Sequence, residues 1–158
     1  MLKRVLIGAA SLAAAQAQEA EPRLTDASAQ AILGGCFDFA VKNELTVAIA
    51  VLDDRTRMVA YRRMDGLRQG PADLAVDKAD YAARWGAPTK SLADRVAEGN
   101  LGWALSSGGT PIEGGVPVYA KDGRVLGGVG VSGASAADDA RCARAGIEAA
   151  GLSDRRGG

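Results

Sequence analysis

Two arginines, a methionine and an aspartate follow one another at the end of a predicted strand, in the segment Arg62-Arg63-Met64-Asp65-Gly66. Guanidinium groups bind carboxylates through paired, charge-assisted hydrogen bonds, and residues where scaffold strands end often contact ligands. The alternative is a solvated pair of arginines, with Asp65 as a turn former. Residue chemistry alone favours this alternative.

A second candidate is the helix face that carries Lys78 and Tyr81, together with Leu74 and Trp85. A lysine among apolar and aromatic neighbours could act as an amine base or nucleophile, or could hold a carboxylate. The commoner outcome is a lysine whose stem lies on the surface and whose charge stays in water. Lys78 and Asp65 are therefore the catalytic candidates. The alternative for Lys78 is a surface lysine without a catalytic role.

Two glycine clusters stand in the last third of the chain. Gly114-Gly115 precedes Val116-Pro117 and predicts a bulged or kinked strand start. The segment 128–133 spells GxGxxG, but a dinucleotide site needs a second parallel strand after the helix, and this helix is the last element. These glycines instead allow a helix, a second subunit or a flat ligand to approach the strand closely.

The chain has no histidine and only two cysteines. The absence of histidine excludes His-based zinc sites and both Ser-His-Asp and Cys-His catalysis. Cys36 and Cys142 fall in the first and last predicted helices. They are either a disulfide, if those helices lie side by side in an oxidising compartment, or two buried thiols.

The elements that position these residues follow from periodicity and from turn signals. Helices are predicted from Thr25 or Asp26 to Asn43, over 72–85 after Gly70-Pro71, over 90–97 with Thr89 as cap, and over 135–150; strands are predicted over 46–52, 58–64, near 103–105, over 116–119 and at 125–126. Asp122-Gly123 predicts a tight hairpin. Short hairpin links make the sheet antiparallel, and helices on both of its faces give an α/β (α+β) domain.

The first residues have the pattern of a cleavable export signal: a basic pair, an apolar run over 5–15 that is too short to span a bilayer, and Ala15-Gln16-Ala17. Residues 1–17 are therefore predicted to be a signal peptide, and the protein periplasmic or secreted. The remaining 141 residues form one domain over 24–152 with a flexible tail over 153–158, and no membrane span is expected after cleavage. The mature balance of 17 basic and 19 acidic residues gives no indication of nucleic-acid binding.

The motifs named above, in their order and spacing, resemble the GlcG/HbpS haem-binding family, which includes the carboxyl-terminal domain of PduO-type proteins. The resemblance covers residues 24–152 and rests on Arg63-Met64-Asp65-Gly66, the helix segment 75–83, Pro88-Thr89, 114–117 and 128–133. It implies a profilin-like sandwich with a five-stranded antiparallel sheet, the first and last helices on one face, and a homo-oligomer. That placement of the helices favours a disulfide between Cys36 and Cys142.

The resemblance also implies that an exported protein binds haem, for storage, sensing or degradation. Without histidine, the iron would need a tyrosine, methionine, cysteine, lysine or a water as its ligand, and the nearby candidates are Met64, Tyr61, Tyr81 and Lys78. The ligand-binding candidates are Arg62, Arg63, Met64, Tyr81, Arg84, Gly114 and Gly115, of which the arginines would pair with the carboxylates of haem. Some relatives act on small molecules, so the alternative is a hydrolase or deaminase of a small organic acid that uses Lys78, Asp65 and Arg63 in one pocket.

Overall fold

The computed structural model describes residues 23–157, and the predicted signal peptide lies outside this range. Its elements are, in order, α1 (Asp26–Lys42), β1 (Ala48–Asp53), β2 (Met58–Arg63), α2 (Gln69–Trp85), α3 (Thr89–Ala97), α4 (Leu101–Ser107), β3 (Gly115–Tyr119), β4 (Val125–Ser132) and α5 (Ala136–Ala149). None of these helices is long and apolar enough to cross a membrane.

The sheet is antiparallel throughout, with the strand order β2-β1-β4-β3. The predicted α+β arrangement with an antiparallel sheet is confirmed, but the prediction of five strands is wrong, because the described residues form four. β1 and β4 occupy the centre, so β2 and β3 are the two edges. The outer, unpaired sides of β2 and β3 therefore lie at opposite edges of the sheet.

The first face of the sheet is covered by α1 and α5. Gly35 and Gly146 let the two helices approach closely, since an added Cβ on Gly146 would lie 2.3 Å from the carbonyl oxygen of Ile32. Cys36 and Cys142, both fully buried, form a disulfide between the helices at this crossing. The bond joins residues that are 106 positions apart in sequence.

The second face is covered by α2 through small side chains. Ala75 and Ala79 pack on Ala48 and Ala50 of β1. An added Cβ on Gly130 of β4 would lie only 1.9 Å from the carbonyl oxygen of Ala75. The helix backbone thus rests directly on the strand, which is the close approach that the glycines of segment 128–133 predict.

The segment around Trp103 is a helix, so the strand predicted over 103–105 is wrong. The side chain of Asn100 accepts a hydrogen bond from the Trp103 amide at 3.4 Å, and Gly108 ends α4 in the left-handed conformation. Leu101 and Leu105, one helical turn apart, project into solvent. A run of three apolar residues fits the period of a strand as well as that of a helix. The cap residues Asn100 and Gly108 favour the helix.

Helix and chain ends differ in detail from the sequence predictions. Thr25 caps α1 as expected, accepting from the Ser28 amide, whereas the left-handed residue after this helix is Glu44 (φ 56°) and not Asn43. α2 starts three residues earlier than predicted, at Gln69. The predicted flexible tail begins with a bound segment, because the Tyr119 amide donates to the Ser153 carbonyl at 2.8 Å.

Candidate functional site

A groove of about 350 Å³ lies where β2 ends, and it contains most of the residues of the first sequence motif. Its lining consists of Phe37, Arg62, Arg63, Met64 and Asp65. We call it the β2-end groove. Because β2 is an edge strand with only β1 as neighbour, the groove opens to the side of the sheet.

The two arginines of the β2-end groove are held on opposite sides of the strand. The Arg62 guanidinium stacks 3.5 Å above the centre of the Phe37 ring in α1. Arg63 Nη1 donates to Gln69 Oε1 at 3.2 Å, at the start of α2. Adjacent strand residues point to opposite faces, so each guanidinium is positioned by a different helix.

Met64 extends the strand by one residue and then ends it. Its amide donates to the Val47 carbonyl at 3.1 Å, and its half-buried side chain packs against the apolar core beneath α1. Gly66 follows in a turn at φ +82°, a backbone conformation that favours glycine. This turn places Asp65 in solvent at the rim, as the turn-former interpretation expects.

A second groove of about 470 Å³ adjoins the first at Asp65. It is lined by Thr46, Asp65, Gly66, Leu67, Arg68, Pro71 and Gly133. Arg68 is the N-cap residue of α2, and no side chain caps that helix start. The two grooves share Asp65, at the turn that joins β2 to α2, and we call them together the depression.

Lys78 is fully buried, contrary to the surface position that its residue type favours. Its Nζ donates to Asp139 Oδ2 at 3.0 Å and to the Val131 carbonyl at 2.9 Å. Asp139 Oδ1 accepts from the Ala134 amide at 3.1 Å. The ion pair therefore connects α2, the end of β4 and the start of α5 inside the molecule.

Burial raises the pKa of the Asp139 carboxyl above its usual value, because a charged carboxylate loses hydration there. The Lys78 ammonium and the Ala134 amide favour the charged form and act in the opposite direction. Both side chains of the pair are withdrawn from solvent. The Lys78 amine is consequently occupied by protein partners and does not face either groove.

Gly114 and Gly115 serve this buried pair. Gly114 has φ +131°, and an added Cβ there would lie 2.6 Å from Lys78 Nζ. The Gly115 amide donates to Thr89 Oγ1 at 2.9 Å, so Thr89 supports β3 and does not cap α3 as the sequence predicts. Gly114 thus makes room for the lysine head, Gly115 makes room for the Lys78 backbone, and both lie at the β3 edge of the sheet.

The other predicted site residues lie apart from the β2-end groove. Tyr81 is 3% exposed and packs against Gly109 and Leu92. Arg84 is exposed and pairs with Asp80 at 2.7 Å. Tyr61 is exposed on β2 but is not part of the groove lining.

The pocket expected for Lys78, Asp65 and Arg63 is therefore not formed. Lys78 and the double glycine are in contact, whereas the arginine-bearing end of β2 lies on the opposite edge strand. Asp139 and Phe37 were not among the predicted site residues. Two general expectations could have pointed to them: a buried lysine needs a counter-ion, and an arginine can stack on an aromatic ring. Asp139 and Phe37 are both distant in sequence from the residues that they contact, Lys78 and Arg62.

In the part of the chain that the structure describes, no group of three or more His, Cys, Asp or Glu side chains could hold a metal ion. The lining of the β2-end groove includes one methionine and one aspartate, Met64 and Asp65. Both cysteines are in the disulfide.

Comparison with known proteins gives one consistent result. Residues 24–148 match the family described as haem degrading protein HbpS-like. Protein GlcG of Escherichia coli K12 is 38% identical over 109 residues, which are 69% of this chain and 81% of GlcG.

Solved structures agree. HbpS has a TM-score of 0.74 at 33% identity, covering 82% of this chain and 92% of HbpS, and a double mutant of Streptomyces reticuli HbpS has 0.73 at 31%, covering 94% and 97%. A complex of PduOC with haem has 0.77 at 23%, covering 85% and 99%, and at that identity shows the fold alone. The chain belongs to the HbpS-like family.

Proposed function

We propose that this protein is exported and binds haem in the β2-end groove. The observation that carries the proposal is the set of residues that line the groove, which includes a methionine, two arginines and a phenylalanine: Met64, Arg62, Arg63 and Phe37. Haem presents an iron on an apolar plane and two carboxylates at one edge. The groove offers a partner for each of these parts.

The dimensions of the depression fit a ligand of this size class. The β2-end groove has about 350 Å³ and the adjoining one about 470 Å³. Sites for small molecules and cofactors usually have about 300–1,000 Å³. A flat ligand centred on the first groove would extend across Asp65 toward the second.

Met64 is the residue that would contact the iron. Thioethers are established axial ligands of haem proteins, and the strand end fixes the Met64 backbone beside the groove. The other three sequence candidates do not line the groove: Lys78 is paired with Asp139, Tyr81 is packed beneath Gly109, and Tyr61 lies outside the lining. When bound, haem would supply a redox-active iron.

Arg62 and Arg63 would hold the two carboxylates. Each guanidinium is already oriented, one by the Phe37 ring and the other by Gln69. Prior orientation reduces the side-chain entropy that is lost on binding. The description of the family supports the same ligand.

The alternative of an organic-acid hydrolase or deaminase receives no support from the geometry. It needs Lys78, Asp65 and Arg63 in one pocket, and the lining of the β2-end groove includes the last two without the lysine. A nucleophilic amine must also reach its substrate. Lys78 Nζ instead contacts Asp139 and the Val131 carbonyl.

Titration of the mature protein, residues 18–158, with hemin tests the proposal. We expect a saturable shift of the Soret band at micromolar protein. Replacing Arg62 and Arg63 together by alanine removes the carboxylate partners and should weaken binding by at least about tenfold, since one charged hydrogen bond already contributes about 1.5–3 kcal/mol. Arg84→Ala is the matched control, because Arg84 is an exposed arginine outside the groove lining.

Two outcomes would contradict the proposal. One is a titration without saturable binding. The other is a loss of affinity in Arg84→Ala that equals or exceeds the loss in the double variant, which would move the site to α2.

Export and assembly are separate parts of the proposal. Export is inferred from the predicted signal over residues 1–17, and amino-terminal sequencing of the protein from the periplasm or medium should give a chain that starts at Gln18. An unprocessed amino terminus on cytoplasmic protein would contradict it. Light scattering of the mature protein tests the expected homo-oligomer, and a monomer mass would overturn that expectation.

A further inference from the structure

The two edges of the sheet differ in whether another strand can pair with them. On the outer side of β3, the Gly115 amide donates to Thr89 Oγ1 at 2.9 Å. Two residues further on, Pro117 has no amide hydrogen to offer. The Tyr119 amide donates to the Ser153 carbonyl at 2.8 Å. The β3 edge is therefore closed, in the ways by which proteins usually protect the edges of their sheets.

The outer side of β2 has no such protection. The Met64 amide donates to the Val47 carbonyl, on the side of β1. Residues of an antiparallel strand bond alternately to one side and to the other, so the amides and carbonyls of Tyr61 and Arg63 point away from β1. In the described part of the chain no strand lies beyond them, because β2 pairs with β1 alone.

Exposed apolar side chains accompany this open edge. Met58 lies opposite Leu52 and Tyr61 lies opposite Ala50, so both are on the face of the sheet that α2 covers. The helix packs on β1, β3 and β4, and Met58 and Tyr61 remain 46% and 42% exposed. An edge strand with free backbone groups and exposed apolar side chains is a template for pairing with another chain.

The charges around β2 fit a second copy of the same strand. Arg57 and Asp65 lie four residues before and four residues after Tyr61, and both are exposed. Neither side chain is in an ion pair with another described residue. Antiparallel pairing centred on Tyr61 therefore brings each Arg57 to the partner's Asp65.

Other registers are disfavoured by charge. The alternation of the hydrogen bonds allows one copy to slide only by two residues at a time. A slide in one direction places Arg62 opposite the partner's Arg62, and a slide in the other places Arg57 opposite the partner's Arg63. Like charges directly opposite each other destabilise a strand pair. The register centred on Tyr61 avoids both.

We infer that β2 pairs with β2 of a second copy of this chain, antiparallel about a two-fold axis at Tyr61. The four strands of each copy then form one continuous sheet. The inference rests on the homo-oligomer of the proposed function and deepens it, because it names the surface and the register. The pairing also places the partner's Arg57 beside Asp65, which lines both grooves of the depression.

A cysteine at the axis tests the geometry directly. Both native cysteines are in the buried disulfide, so Tyr61→Cys adds the only free thiol. Directly opposite residues of a hydrogen-bonded antiparallel pair have Cα atoms about 5.5 Å apart, and a disulfide spans about 4.4–6.8 Å. Mild oxidation of this variant of the mature protein should therefore give a covalent dimer on a non-reducing gel.

Leu105→Cys is the matched control for the cross-link. Leu105 is an apolar side chain of α4 that is 86% exposed, so its thiol is at least as accessible as one at position 61. It should give no covalent dimer under the same oxidation. A dimer from Leu105→Cys without one from Tyr61→Cys would move the interface to α4 and overturn the inference.

Light scattering of the mature protein at micromolar concentration gives the second test. Tyr61→Lys places like charges opposite each other at the axis and keeps the backbone bonds to β1. Tyr61→Pro removes the outward amide hydrogen, as Pro117 does on β3. Each should lower the average mass to half of the parent's or less. Tyr61→Phe keeps both ring and amide and should keep the parent's mass, and circular dichroism verifies that each variant is folded.

Charge reversal tests the register. Arg57→Asp places two carboxylates opposite each other at both ends of the paired strands, so it should dissociate the assembly at a higher protein concentration than the parent. Adding Asp65→Arg restores opposite charges and should restore the assembly. An assembly equally strong in Arg57→Asp, or equally weak in the double variant, would contradict this register.

The outcomes separate the inference from the proposed function. A monomeric parent overturns both the expected homo-oligomer and the inference. An oligomer whose mass is the same in Tyr61→Lys, Tyr61→Pro and the parent overturns only the inference, since another surface then holds the copies together. A hemin titration without binding, on protein that assembles through Tyr61, overturns only the haem-binding part of the proposed function.

Discussion

Lys78 Nζ lies 3.0 Å from Asp139 Oδ2, and both side chains are almost completely withdrawn from water. The two residues are 61 positions apart and connect the helix on one face of the sheet to the first turn of the last helix. A buried ion pair contributes little compared with an apolar pair of the same volume, but an unpaired buried charge is costly. The pair therefore makes the fold sensitive to the loss of either member.

Single substitutions of this pair should destabilise the protein more than a joint substitution. We expect Lys78→Met or Asp139→Leu alone to lower the free energy of unfolding by about 3–5 kcal/mol, because each leaves a buried charge without its partner. The double variant should lose clearly less than the sum. Urea unfolding followed by circular dichroism measures all three, and additive losses would show that the two side chains are not coupled.

The neighbours Asp138 and Asp139 should respond to pH in opposite directions. Burial raises the pKa of Asp139, so its contribution to stability is fully present below the unfolded pKa of about 3.9 and is lost as pH rises through the native pKa. Hydrogen bonds from Arg141 and Ser135 lower the pKa of Asp138. Its contribution is present above the unfolded pKa and is lost as pH falls through the native one.

Asn variants isolate these two contributions. Between about pH 3 and 6, the stability difference between the parent protein and Asp139→Asn should decrease with rising pH, whereas the difference from Asp138→Asn should increase. Urea unfolding at a series of pH values gives both curves. Two stability differences that change in the same direction with pH would contradict the assigned pKa directions.

The disulfide should account for a large part of the stability. Removing it in Cys36→Ala/Cys142→Ala should lower the free energy of unfolding by about 2–5 kcal/mol, since the bond closes a long loop in the unfolded chain. Dithiothreitol should destabilise the parent protein similarly and leave the variant unchanged. Equal stability of the oxidised parent and the variant would show that the bond is dispensable.

Close packing of α2 on β4 should make one glycine irreplaceable. Gly130→Ala places a Cβ 1.9 Å from the Ala75 carbonyl oxygen, and backbone on both sides prevents relief, so we expect a loss of more than about 3 kcal/mol. Gly102→Ala is the control. Nothing lies within 4 Å of its added Cβ, and alanine in place of glycine in the first turn of α4 should stabilise by less than about 1 kcal/mol. Thermal unfolding of the two variants should therefore shift in opposite directions.

Local patterns predicted the elements and some of their contacts. The turn at Asp122-Gly123 and the close helix approach at Gly130 follow from residue types within a few positions, and the structure has both. The strand predicted near Trp103 was wrong, because three apolar residues fit the period of a helix as well as that of a strand. The cap residue Asn100, just before the run, distinguishes the two.

Contacts over long sequence distances could not be predicted in the same way. Nothing near Lys78 indicates that Asp139, in another helix, supplies its counter-ion. The pocket expected for Lys78, Asp65 and Arg63 failed for a related reason. Lys78 lies beside Gly114 at the β3 edge, and the strand order β2-β1-β4-β3 places Arg63 on the opposite edge. Hairpin signals define neighbours only within each hairpin, so they do not predict this order.

The bond between α1 and α5 turns residues 36–142 into a covalent ring. A protease that cuts once inside this ring, for example in the exposed segment 98–100 between α3 and α4, produces two fragments that stay attached. Nicked protein would keep its mass on a non-reducing gel and separate only after reduction. One backbone cleavage therefore does not release either half of the molecule.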